Sequence, residues 1–338
     1  MGIRIHALIL ATVAGLLASC GDDEGSSDSQ TTSSCGGDEP FELDEMLTAD
    51  MITGSMSVNG YTSVDELTCE DLCRYAAPVI DVSTIDSCTH TLEVNEDADD
   101  TSDEAATGTI SCAGAAVTCV DGRRPLGHVE AEVPGHSLAA YLARSAHMEA
   151  ASIGAFTQLA DQLTAREAPL DLIRRCLAAA EDEREHARLI TELARAEGAL
   201  PPPVEPTRPF ADTLLNIALN NATEGCAAET WSALMATWMA TRAREPRLRA
   251  VYEQIARDET RHAQLAWDLH AWLIKQLSPR HRARVVTALD AALAELPAFA
   301  HAQARGLPRA LGIPTPAVYA AAAEEFRARL RDAIPRAA

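Results

Sequence analysis

The chain has 338 residues, enough for more than one domain, and its net charge of -22 is unevenly spread. Residues 21–120 hold 23 acidic side chains and one basic one, Arg74, whereas residues 121–338 hold 27 acidic and 26 basic. Such an acidic leading segment repels nucleic acid and anionic lipid, and argues against both as its partners.

The first segment, MGIRIHALILATVAGLLASC, has a basic start at Arg4, an apolar run from Ala7 to Leu17, and small residues before a cysteine. The run is too short to span a bilayer and has the length of a signal-peptide core. Leu17-Ala18-Ser19-Cys20 resembles the bacterial lipobox, which implies that residues 1–20 are a leader and that Cys20 carries the lipid. A plain secretory leader cut near Ala18 is the alternative. Several acyl chains anchor stably where one does not. The resemblance places the protein in a bacterial cell envelope, lipid-anchored, at the outer membrane or facing the periplasm. No other segment reads as long and apolar enough to cross a membrane.

Residues 21–40, rich in Gly, Ser and Asp, are expected to form a flexible acidic tether. Residues 41–130 are expected to form a small acidic, disulfide-rich α+β module. In an oxidising compartment Cys35, Cys69, Cys73, Cys88, Cys112 and Cys119 read as a framework of up to three bridges, with fifteen possible pairings. Ser63-Val64-Asp65-Glu66 is a capping box that opens a short helix through Tyr75. Ser87–Val94 and Gly108–Val120 alternate as strands do. The module carries no catalytic constellation.

From Pro134 the spacing of apolar residues becomes helical. Four helices are predicted over residues 135–277: Ser137–Leu163, Pro169–Glu197, Pro209–Arg242 and Pro246–Leu277. Two more, Pro279–Leu296 and Pro316–Ile334, lie within residues 278–338 and are expected to pack on the others. Short links, five residues between the first helix and the second and three between the third and the fourth, make each pair antiparallel. The middle link, GALPPPVEPTR, reaches ~34 Å as polyproline II, enough to run back along a helix pair.

Each of the four helices places a glutamate within its apolar stripe. The second and fourth also share a repeat, AEDEREHA at 180–187 and ARDETRHA at 256–263. Residues three apart share a helix face, so Glu183 points with His186 and Glu259 with His262. Superposing the repeats sets Glu149 opposite Glu224. Glu229 falls opposite Gly154, and at about 100° per residue it points some 140° away from Glu224. Glu149, Glu183, His186, Glu224, Glu259 and His262 are therefore the predicted ligands, with Glu229 a flanking group able to pair with an arginine. Four buried carboxylates repel unless neutralised, and two divalent metal ions supply that charge.

This constellation resembles the ferritin-like di-metal carboxylate proteins over about 140 residues, Ser137 to Leu277. The resemblance implies a mainly α fold with a ferritin-like four-helix bundle, two metal ions, and iron as the metal, with manganese or mixed manganese and iron as variants. Asp258-Glu259-Thr260-Arg261-His262 is also similar to the D-E-x-R-H of bacterial di-iron monooxygenases. That likeness implies that Asp182, Asp258 and Arg261 orient the histidines. The first copy departs from it, with Glu185 where the arginine would be. His147 is expected on the exposed face, His270 at the end of the core, and Phe156, Trp231, Trp238 and Tyr252 in core packing.

The resemblance implies oxidoreductase or ferroxidase-type chemistry with oxygen or peroxide as a small-molecule oxidant, while substrate and electron donor stay open. Cage storage fits poorly with an anchor, a long leading segment and two extra helices. The alternative is a surface-anchored binding or scaffold lipoprotein with a structural metal site.

Overall fold

Capping groups and prolines divide the C-terminal two hundred residues where the helices divide. The computed structural model describes residues 5–19, 36–59, 63–76, 82–94, 106–118, 123–125, 128, 133, 135, 137–204 and 213–334. They form two compact units, a helical one and a small α+β one made of residues 35–119 with 208–213. The chain is mainly helical, with a small antiparallel sheet.

In the small unit, β1 (Gly36–Leu47), β3 (Ala106–Thr118) and β2 (Val82–Val94) lie side by side in that order, all antiparallel. Helices α2 (Ala49–Asn59) and α3 (Cys69–Ala76) complete it. The capping box forms as expected: the Glu66 carboxylate accepts from the Ser63 backbone N–H and the Ser63 hydroxyl from that of Asp65. It opens a single 3-10 turn, Val64–Glu66, and α3 starts three residues later. Leu43, Leu47, Met51, Ile52, Leu67, Leu72 and Ile110 form the core. β1 overlaps the end of the expected tether, and α2 lies in a stretch the sequence left unassigned.

Two bridges staple this core, Cys69–Cys88 and Cys73–Cys112. They tie α3 to β2 and β3, and the paired register sets Cys88 directly opposite Cys112. A core of this size is small for independent stability, which is the setting where bridges contribute most. Cys20, Cys35 and Cys119 lie outside the described residues.

In the helical unit, the Ser137 hydroxyl caps α4 (Leu138–Ala165) by accepting from the Ala140 N–H. The chain reverses through Glu167, in the left-handed region, and starts α5 (Leu170–Ala196) after Pro169. Gly198, with φ 86°, ends the turn beyond α5, a conformation that glycine adopts without a Cβ penalty. The next helix is not uniform. It begins as α6 (Leu214–Asn220), widens to a π-helix over Asn221–Glu229, and resumes as α7 (Thr230–Arg242). Then follow α8 (Pro246–Gln276), α9 (Pro279–Gly306) and α10 (Pro316–Ala333), each with proline at its first turn.

α4 lies along α5 and α7 along α8, and α5 packs on α8, so the two repeated motifs meet inside the unit. α9 and α10 pack on each other, and α9 also covers the π-helix. α9 runs straight through Pro297, where the sequence reading stops it at Leu296. Leu293, Leu296, Phe299 and Ala300 are buried on both sides of the proline, and that packing outweighs the lost hydrogen bond. By length and composition α9 could also cross a membrane, contrary to the expectation that no segment past the leader could. One face of it, with Val285, Leu289, Leu293, Leu296 and Phe299, is buried in the core of the unit, while Val286 is exposed. The segment expected to be a leader is helical (α1, Ile5–Ser19) and seats Ile5, Ile9 and Val13 against α7, α8 and α10.

Candidate metal centre

The centre is built where α4, α5, the end of the π-helix and α8 face one another. Glu149, Glu183, His186 and Glu259 bring one ligand atom each within 4.8 Å of the others, and so do Glu229, Glu259 and His262. These clusters could hold metal ions. The two groups are joined by shared carboxylates. His186 Nδ1 lies 3.7 Å from Glu183 and 3.4 Å from Glu259, while His262 Nδ1 lies 3.1 Å from Glu183 and 3.4 Å from Glu259. Glu149 stands on the His186 side at 3.4 Å, and Glu229 on the His262 side at 3.9 Å.

A second layer is crossed between the motifs. Asp258 of the second motif sits 3.1 Å from His186 Nε2 of the first, and Asp182 of the first sits 3.1 Å from His262 Nε2 of the second. A carboxylate accepts, so each histidine carries a proton on Nε2 and turns Nδ1, the nitrogen left to ligate a metal, toward the glutamates. Arg261 donates to both aspartates, at 2.7 Å to Asp258 and 2.8 Å to Asp182. One arginine thus serves both histidines, and Glu185 on the other motif turns outward to Arg188. Asp182, Asp258 and Arg261 are accordingly where the sequence reading set them.

The electrostatics follow from burial. Burial alone would lower His186 and His262, but the surrounding carboxylates outweigh it and hold both well above the ordinary value. Burial raises Glu149 and Glu229 far above the usual carboxylate range, and in Glu229 the charge of Glu259 adds to it. Glu183 goes the other way, because the two imidazoles outweigh its burial. A metal-free centre therefore holds protons where cations would otherwise sit, and binding metal must release them.

One predicted ligand is misplaced. Glu224 does not join the cluster; its carboxylate accepts from the backbone N–H of Arg124 at 3.1 Å, from Nε at 3.3 Å and from Nη2 at 3.1 Å. The π-helix is the cause. Residues hydrogen-bonded i to i+5 turn less per step than the ~100° of an α-helix, so the stripe traced from Leu214 and Ile217 loses phase before Glu224. Glu229, at the end of the π-helix, takes the ligand position instead. The expected arginine partner exists, but it belongs to the other glutamate.

Arg123 also enters this unit. Its Nη2 donates to Asn221 Oδ1 at 2.9 Å and its guanidinium lies over the Phe156 ring, whose centre is 5.1 Å from that of His262. Gly225 makes this possible, because a Cβ there would collide with that guanidinium. Neither arginine was singled out from the sequence; the available signal was a basic pair, Arg123-Arg124, where the chain first turns basic after its acidic leading segment. His147, expected to be exposed, is buried. His270 lies beside Trp267 and outside the cluster, and Tyr252 is buried with its hydroxyl 3.5 Å from that of Tyr141. Cys176 and Cys226 are buried free thiols that burial pushes up, Cys176 to about 11.

Comparison with protein-family models, with curated proteins and with solved structures gave no match to this chain.

Proposed function

We propose that the helical unit is a ferritin-like di-metal carboxylate domain, borne by an exported and lipid-anchored chain, that reacts with oxygen or peroxide. One observation carries the reading. Both oxygens of Glu183, Glu229 and Glu259, and Nδ1 of His186 and His262, are buried without a hydrogen-bond partner among the described residues. Buried polar atoms left unsatisfied cost on the order of 1–3 kcal/mol each, more when charged. So many of them turned toward one another, all of them Lewis bases, are accounted for by cations.

The donor set fits two ions of hard-to-borderline character, and iron is the metal proposed. Bound iron would supply the electrons for reduction of oxygen or peroxide. The protein's part is positioning. Glu149 with His186, and Glu229 with His262, are placed to serve one ion each, while Glu183 and Glu259 reach both sides. Asp258 and Asp182 hold the two imidazoles in the ligating tautomer, and Arg261 keeps both aspartates ionised and aimed. Phe156, itself fully buried, packs its ring against that of His262.

Anaerobic Fe(II) titration of the purified chain, followed by air or peroxide, tests the reading. About two equivalents should bind per chain, and they should oxidise faster than Fe(II) in buffer. Retention of zinc, with no oxygen-dependent change in absorption, would favour the scaffold reading with a structural metal. The anchor is tested separately: Cys20→Ala should move the protein from the membrane fraction to the soluble one. A variant still held by membranes after a salt wash would refute the lipid attachment, and would favour a chain that keeps α1 as part of its helical unit.

A further inference from the structure

Outside the centre, two buried histidines, His128 and His147, lie side by side with their ring planes tilted by 39°. His128 lies beyond Arg123 and Arg124, and its backbone N–H donates to the Pro125 carbonyl at 3.0 Å. His147 lies on α4, two residues before Glu149 and so about 200° around the helix from it. Only 8% of His128 and 4% of His147 is exposed, and their ring centres are 5.1 Å apart. We infer that this pair is a separate binding site for one divalent cation of borderline character, such as zinc or cobalt, with water completing its coordination.

The hydrogen bonds assign the ligand atom. His147 Nδ1 lies 3.2 Å from the Pro202 carbonyl, which can only accept. Nδ1 therefore carries the proton, and Nε2 is left with its lone pair. A histidine held by a backbone carbonyl on one nitrogen is the arrangement that orients metal-bound imidazoles. The Nε2 atoms of His147 and of His128 are both buried without a hydrogen-bond partner among the described residues.

Charge and geometry agree. Burial, then the neighbouring His147 and Arg124, lower His128 to about 4, so its ring is neutral at neutral pH and free to ligate. Arg124 is the nearby positive charge that would oppose a cation, and Glu224 already neutralises it. An ion ~2.0–2.1 Å from one nitrogen of each ring stands ~3.2 Å from each ring centre, so the 5.1 Å separation subtends ~105° at the ion. That is close to the tetrahedral angle zinc prefers, and imidazole suits zinc, nickel, copper and iron. With only two protein ligands the site should exchange its ion readily.

The inference does not rest on the function proposed above. The test is a Co(II) titration of the full chain, following bound equivalents by dialysis and coordination by visible absorption. His128→Asn and His147→Asn should each lose the same single equivalent and its tetrahedral absorption, whereas His262→Asn should keep that equivalent. A second measurement needs no variant: Zn(II) added to the unmodified protein should shift the Nε2 resonances of His128 and His147 in a long-range proton–nitrogen imidazole spectrum. If these resonances do not move, or both asparagine variants bind as much Co(II) as the unmodified chain, the site does not exist. Loading at the pair with none at the glutamates would uphold this inference and sink the di-metal one.

Discussion

Glu229→Ala is expected to reduce bound metal from about two ions per chain to one or fewer, while Glu224→Gln leaves two-metal loading intact. Glu229 is fully buried, faces His262, and shares its group with Glu259, whereas the Glu224 carboxylate is held by Arg124. The same substitution should act oppositely on the metal-free fold. Burial and the charge of Glu259 raise Glu229, so without metal it is a cost to the folded state. Its removal should therefore raise the thermal midpoint of the metal-free chain even as metal binding fails, the exchange of stability for function expected at a site. Metal analysis and paired melting curves, with and without metal, read both effects. Full loading of Glu229→Ala would place the sixth ligand elsewhere.

Arg124→Ala should destabilise the helical unit by ~3–5 kcal/mol, the cost of leaving one partner of a buried ion pair alone. Both side chains are almost fully shielded, and three donors of Arg124 converge on one carboxylate. The double substitution Arg124→Met with Glu224→Leu should recover most of the loss, because it leaves no orphaned charge. Urea unfolding of the metal-free protein gives the comparison. A loss below ~1 kcal/mol for Arg124→Ala would mean that the pair behaves as a surface salt bridge does.

The pairing of glutamate and histidine within each motif is a local fact, and so it was legible in the sequence. Three residues along an α-helix put both on one face whatever else the chain does, and α5 and α8 are regular helices around Glu183 and Glu259. The capping box at Ser63 and the proline starts of α8, α9 and α10 are legible for the same reason: each signal acts within one turn. The crossed bonds between the aspartates and histidines follow once α5 meets α8, although nothing in either motif states that each aspartate serves the other's histidine.

What extrapolation along a helix or across the chain had to supply was decided by tertiary structure. The face of Glu224 was read by counting about 100° per residue from Leu214, and the count fails inside the π-helix of Asn221–Glu229. That helix is covered by α9, answered by Arg124 a hundred residues earlier, and left open at Gly225 for Arg123. His147 reads as exposed from its own helix and is buried because Pro202 and His128 come to it. The cysteine pairs depended on strand register, which sets Cys88 against Cys112 and leaves each to bridge to α3. Which residues share a helix face can thus be read from the chain alone, since that depends on backbone geometry repeated every few residues. Which face turns inward, and which distant charge it meets there, was decided only by packing, where burial makes an unanswered carboxylate or imidazole costly enough to choose among partners.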